Sequence, residues 1–378
     1  MIDERLKRMA RTVVDYSLKI KPGEKVLIDS TKNCTDMVKY MIKLLDTRGA
    51  IPFVCLEEND IKSILIKHGS KEQFEIMKEA KAALLSKVDV YINMMDSDNC
   101  FDMSDVPAEK RALYQKYYFK PINFEIIVPK LRWITVDYPS FTSAQQFGMS
   151  TEAYEDMFFK AVNTDYEKLY EKMIPLKRIL DKGRHVEIQA EGTKLDFDIT
   201  KCKSAICSGI INLPDGEIFI APDLTSMNGY VRFNIPTRYQ GNKFENVYLE
   251  FRNGKVINAS ANTNEKLLLQ ILDSNEGNRF VGEFAIGTNP NIQKPTSNIL
   301  FDEKILGSFH LALGNSHDLS DNGNRASIHW DMVKMFTPQY GGGEIKVDEK
   351  TIMKDGKFIG SELKEIENIG EREYGREC

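Results

Sequence analysis

The chain has 378 residues, 51 Lys and Arg against 56 Asp and Glu, 42% apolar residues and a formal net charge of −5. At roughly 150 residues per domain this length implies two domains, each large enough to bury a core. Disorder is excluded by the hydrophobicity, and the near balance of charge excludes a nucleic-acid binder, which concentrates Lys and Arg on one face.

The first 140 residues alternate two patterns. Apolar runs at Val26 to Ser30, Pro52 to Leu56, Val88 to Met94 and Arg132 to Tyr138 read as short buried strands, while Glu4 to Leu18, Asp36 to Thr47, Glu72 to Leu85 and Ala108 to Tyr118 carry apolar residues at helical spacing. Strands alternating with helices build an open, mostly parallel sheet covered on both faces. No G-x-G-x-x-G follows any of these strands, so the rhythm is not that of a dinucleotide site. A Tyr-, Lys- and Glu-rich helical region follows from 150 to 182 and stops at Gly183.

From about 185 the character changes to short alternating runs between turn signals: His185 to Ala190, Lys194 to Ile199, Glu217 to Ala221, Gly229 to Asn234, Phe244 to Phe251 and Lys255 to Ala261. Asn253-Gly254 and Asp355-Gly356 are two-residue hairpin signals. One helix, Asn264 to Leu272, interrupts them, with Asn264 or Thr263 as its cap. The expected organisation is therefore an α/β N-terminal domain over 1–184, including a helical linker, and an α+β, mainly antiparallel C-terminal domain over 185–378.

The N-terminus is charged and lacks an apolar run of signal-peptide length, and no stretch of about 18 consecutive apolar residues occurs. The expectation is a cytoplasmic protein with no membrane partner. Cys34, Cys55, Cys100, Cys202, Cys207 and Cys378 are accordingly read as reduced thiols. Cys202 and Cys207, the closest pair, fit no C-x-x-C spacing.

H-E-x-x-H, G-x-S-x-G and P-loop motifs are all absent. What stands out is His329-Trp330-Asp331: in a strand, i and i+2 share a face, so an imidazole and a carboxylate face one ion together. His310 sits in the apolar run Ser308 to Leu313, and Glu283 in Phe280 to Ile286, places where ionisable groups are costly unless paired or metal-bound. Glu217 opens the run Glu-Ile-Phe-Ile-Ala after the turn at Asp215-Gly216. Together these residues are enough ligands for two divalent ions sharing a carboxylate. Asp302 and Glu303 are candidate partners for His310, with a solvated loop as the default.

At these residues the sequence resembles the metallo-aminopeptidases of the aminopeptidase T and aminopeptidase S family. The likeness runs from Tyr16-Ser-Leu-Lys-Ile-Lys-Pro-Gly to Tyr340-Gly-Gly-Gly-Glu and is densest in Leu213-Pro-Asp-Gly-Glu, Arg279-Phe-Val-Gly-Glu-Phe-Ala-Ile-Gly, Gly307-Ser-Phe-His-Leu-Ala-Leu-Gly and Ile328-His-Trp-Asp. The resemblance implies a homodimer with an enclosed chamber, peptide substrates, and two co-catalytic divalent ions, typically zinc or cobalt, with magnesium or manganese as the alternatives. It carries the metal-ligand role onto Glu217, Glu283, His310, His329 and Asp331; in a mechanism built on these ligands, Glu283 is the expected proton carrier to the leaving amine. One departure concerns catalysis. The family has a Tyr seven residues after the first metal His, and this chain has His317. Two outcomes are open there: an imidazole that takes over the hydroxyl's role or adds a ligand, or a silent metal-binding protein. A dinuclear phosphoesterase is the other rival, and the windows 283 to 300 and 307 to 317, with Lys294 as their only cation, count against it.

Overall fold

The structure, a computed structural model, describes residues 3–374 apart from 97, 100, 240 and 327; Cys100 and Cys378 therefore lie outside the described residues. The chain divides into two units. One contains the chain up to Asn163 together with Gly209–Leu213 and the residues from Tyr374, and the other contains Thr164–Ser208 and Pro214–Glu373.

The first unit is built on a parallel sheet of Lys25–Thr31, Ile51–Glu57, Val90–Met95 and Arg132–Asp137, each at its expected place, extended by the two-residue strand Asn212–Leu213. Val26, Leu27, Ile28, Val90, Ile92, Ile134 and Val136 are buried, as continuous apolar runs in a sheet covered on both faces should be. The helices Thr35–Thr47 and Lys71–Leu85 match the periodic segments, the second capped by Ser70, whose hydroxyl accepts from the Gln73 N–H. The helix Asn59–His68 has no counterpart among the expected elements. Only Ser63 and Ile66 of it are buried, so its sequence carries little of the stripe that marks a helix.

The second unit is antiparallel. One sheet has eight strands running from Lys255–Ser260 at one edge to Lys357–Phe358 at the other; a second has five, in the order His329–Met335, Ser308–Gly314, Val281–Gly287, Glu217–Ile220, Ala205–Cys207. Both hairpin signals are turns, with positive φ at Asn253, Gly254, Asp355 and Gly356. Phe197 of the larger sheet meets Phe284 of the smaller at 5.1 Å, edge to face, and Phe284, Phe309 and Phe336 continue this core. The alternate residues of the five-stranded sheet are thereby presented on its other face.

Two expectations need adjustment. The helix Tyr166–Lys182, taken as part of a linker with the first domain, belongs to the second unit: its buried Tyr166, Leu169, Met173, Leu176 and Leu180 lie along one side, and it packs on the strands Ala205–Cys207 and Glu217–Ile220. The helix Glu265–Asp273 has no side-chain cap, because Asn264 adopts a left-handed conformation and its amide donates to the carbonyl of Lys243.

Candidate metal centre

The five-stranded sheet places its unusual residues by register. Glu283 lies opposite Ala312, and Ala312 opposite Asp331; His310 lies opposite Ala285, Gly287 opposite Glu217, and Gly314 opposite His329. Ionisable side chains thus alternate with Ala and Gly across neighbouring strands on one face, and the small residues leave room between the donors. Gly282 sits at the irregularity beside Glu283, where a Cβ would fall 2.4 Å from the Gly314 carbonyl oxygen, so only glycine permits the strands to approach there. Trp330, on the opposite face, stacks with Tyr239 at 4.9 Å and donates to the Thr237 hydroxyl, which donates in turn to the Asp331 carbonyl. That anchor fixes which way His329 and Asp331 point.

His310 Nε2 lies 3.3 Å from Glu283 Oε1, 3.4 Å from Glu217 Oε2 and 3.8 Å from Asp331 Oδ1. His329 Nε2 lies 3.5 Å from Asp331 Oδ1 and 3.9 Å from Glu283 Oε2. Its Nδ1 is held at 2.9 Å by the Asn315 carbonyl oxygen; as the protonated nitrogen it leaves Nε2 facing the carboxylates. Donor atoms of Glu217, Glu283 and His310 form one group within 4.8 Å of one another, and those of Glu283, His329 and Asp331 form a second, so Glu283 is common to both. Glu303, His310 and Asp331 make a third such group. The His310 side chain is 1% exposed and that of His329 39%, so the cluster is sealed at one end and open at the other.

Electrostatically the cluster is strained toward cations. Lys304, also 1% exposed, lies 2.5 Å from Glu217 Oε1, 2.8 Å from Glu303 and 3.5 Å from Asp215. Burial pushes Glu303 up to about 7 and raises Glu217, against the pull of Lys304 on both. Burial by itself would lower His310, but its hydrogen bond to Glu283 and the charges of Glu217 and Asp331 raise it to about 9. The same balance, dominated by Asp331, raises His329 well above the ordinary imidazole range. Glu217 Oε2 and His310 Nδ1 are nonetheless buried without a hydrogen-bond partner. Carboxylates and imidazoles that converge while a buried oxygen stays unsatisfied fit divalent cations in chemistry and in number of donors.

Residues 2–358 match the thermophilic metalloprotease (M29) family. The chain belongs to that family. Among proteins similar to this M29 chain are aminopeptidase AmpS of Bacillus subtilis (strain 168), 24% identical with 88% of this chain and 89% of that protein covered, and aminopeptidase PepS of Streptococcus thermophilus, 24% identical with 87% and 92% covered. Aminopeptidase T of Thermus thermophilus is 32% identical over 171 residues, 39% of this chain and 40% of that one. In fold the M29 chain is similar to the solved structure of wild-type AmpT from Thermus thermophilus, with a TM-score of 0.79 at 20% identity over 94% of this chain and 99% of that one.

All five residues singled out as ligands in the M29 chain's sequence thus lie on one sheet face. His317 does not join them. It is exposed, its Nδ1 accepts the Leu319 N–H at 3.2 Å, and its ring packs at 5.3 Å against Phe219, which shares the face of Glu217. The expectation of a solvated loop at Asp302 and Glu303 is corrected: both are buried, Asp302 accepting from the Thr296 and Ser297 N–H groups. Sequence reasoning passed over Lys304 altogether. It falls between the two windows inspected for cations, but its three carboxylate partners occupy it, so it offers no open site to a phosphate. Cys202 and Cys207 are free thiols, as expected. No helix among the described residues is long and apolar enough to cross a membrane.

Proposed function

We propose that this chain is a metal-dependent aminopeptidase that releases N-terminal residues from peptides with two divalent ions, zinc or cobalt, as cofactors. The observation that carries the reading is the pair of donor groups sharing Glu283 on one buried sheet face, in a chain whose curated relatives of similar length are aminopeptidases. Glu217 and His310 would hold one ion, His329 and Asp331 the other, with Glu283 between them. When bound, the ions supply Lewis acidity that brings a water's pKa near neutrality and polarises the first peptide carbonyl.

The chain's own residues do the rest. Glu283 takes the proton of the attacking water and returns it to the leaving amine, the two transfers that peptide hydrolysis needs. Lys304 fixes Glu217 and Glu303 in place, and the Asn315 carbonyl fixes the His329 ring. Peptide enters from the His329 side. His317 is read as a hydrogen-bonding group for the substrate, outside the ligand set. A homodimer and a cytoplasmic location belong to the same proposal and rest on the family resemblance.

The test is protein stripped with chelator, reloaded with zinc or cobalt, and offered aminoacyl p-nitroanilides, their N-acetylated forms and p-nitrophenyl phosphate. Metal-dependent release from the free-amine substrates alone is expected. Cleavage of blocked substrates, or of phosphate only, would overturn the reading, and no release with two ions bound would favour a silent metal-binding protein.

A further inference from the structure

The parallel sheet of the first unit has a switch point. From the strand Lys25–Thr31 the chain proceeds to Ile51–Glu57 on one side, then returns to pair Val90–Met95 on the other. In open parallel sheets, ligands bind at the carboxyl ends of the strands where the order reverses in this way. A cavity of about 110 Å³ lies there, lined by Asp29, Ser30 and Thr31, by Glu57 and by Asn93, from the ends of all three strands. A second cavity, of about 250 Å³, shares Glu57, Lys62, Tyr114 and Tyr118 with the first and is walled by Leu56, Ile61, Leu65, Ile66, Phe74 and Met77.

Charges in the polar cavity come in opposite pairs. At its base Lys81 Nζ lies 2.5 Å from Asp29 Oδ2, both side chains about nine-tenths buried, and the Tyr91 hydroxyl donates to the same oxygen at 2.7 Å. Where the cavities meet, Lys62 Nζ lies 2.8 Å from Glu57 Oε2, and this pair is partly exposed, at 40% and 38%. These four charges cancel, and Glu58, which also lines the apolar cavity, is paired with Lys32 at 2.7 Å. A zwitterion offers each member of the accessible pair an opposite charge, whereas a ligand carrying one net charge offers a partner to only one of them. Beside the accessible pair, Leu56, Ile61 and Leu65 keep apolar surface in water that a bound side chain would cover.

We propose that this crevice binds a free α-amino acid with a large apolar side chain, of the leucine, methionine or phenylalanine type. Glu57 receives the ammonium, Lys62 the carboxylate, and the apolar cavity the side chain. This inference does not depend on the peptidase reading, since binding is measured without turnover.

The test is calorimetric titration of the metal-loaded full chain with L-leucine, alanine, leucinamide and 4-methylpentanoate. Leucine is expected to bind, with each of the other three weaker by at least tenfold. Lys62→Met and Leu65→Asp, both at partly exposed positions, should each weaken leucine by at least tenfold at unchanged metal content and melting temperature. Leucine binding unaltered in both variants, no leucine binding at all, or equal binding of alanine would overturn the proposal. Equal binding of leucinamide would overturn it in favour of a peptide N-terminus.

Discussion

The antiparallel sheet of the second unit and the parallel sheet of the first hold their charged groups in opposite ways. In the antiparallel sheet the groups stand on a strand face, Glu283, His310 and Asp331 within strands and Glu217 and His329 at strand starts, and register decides which ones meet: Glu283, Ala312 and Asp331 are aligned across three strands. In the parallel sheet they stand where strands end, and the switch in strand order decides which ones meet. The first arrangement is buried except at His329, and it leaves Glu217 Oε2 unsatisfied. The second is balanced by its own ion pairs. A face site should therefore fail abruptly when one donor or one gap is altered, while residues in flanking loops tolerate change.

The largest effect is expected for Glu283→Ala, which removes the carboxylate common to both donor groups. Metal content should fall toward zero and kcat by more than the roughly 10–100-fold typical of an outer-shell partner; elemental analysis with the p-nitroanilide assay checks both. Ala312→Leu keeps every donor but fills the gap between Glu283 and Asp331. It should cost at least one ion, and full retention of metal would break the register argument.

Lys304→Met comes next. It leaves Glu217 and Glu303 buried without their ammonium, which should destabilise the metal-free protein by about 3–5 kcal/mol in urea unfolding. Loading with zinc should recover much of this, because the added cations replace the lost charge.

Metal affinity should also depend on pH. In the metal-free protein His310 holds its proton up to about 9, so below that pH ligation must release it and affinity falls as pH falls, by about tenfold per unit for one proton. Titration in buffers of different ionisation enthalpy reads the released protons directly. The smallest effect is expected for His317→Asn: an exposed loop residue outside the donor groups should change kcat by less than about tenfold and leave metal content intact.

Much of the site was legible in the sequence, for a physical reason. Glu283 and His310 stand in runs that are otherwise apolar, and burial makes such residues conspicuous. His329 and Asp331 declare a shared face through the period of two. Glu303 was legible only as a candidate partner of His310, against a solvated loop as the default, and Lys304 was not legible at all, because charged residues after a short helix are ordinary. They are drawn in by a backbone contact no local pattern encodes, the Asn289 N–H donating to the Lys304 carbonyl at 3.0 Å. The crevice of the first unit was hidden likewise, since Asp29, Glu57, Lys62 and Lys81 are ordinary residues of separate elements that only the strand order assembles. Most strands of both sheets could be read from apolar runs and turns, but the short Ala205–Cys207 and Asn212–Leu213 could not, and the helix Tyr166–Lys182 showed its stripe without showing which unit it covers.

The most direct test of the central claim is anomalous diffraction at the zinc edge from crystals of the reloaded protein. Two peaks are expected on the Glu283 face of the five-stranded sheet, one beside Glu217 and His310 and the other beside His329 and Asp331. A single peak, or zinc bound away from that face, would contradict the account.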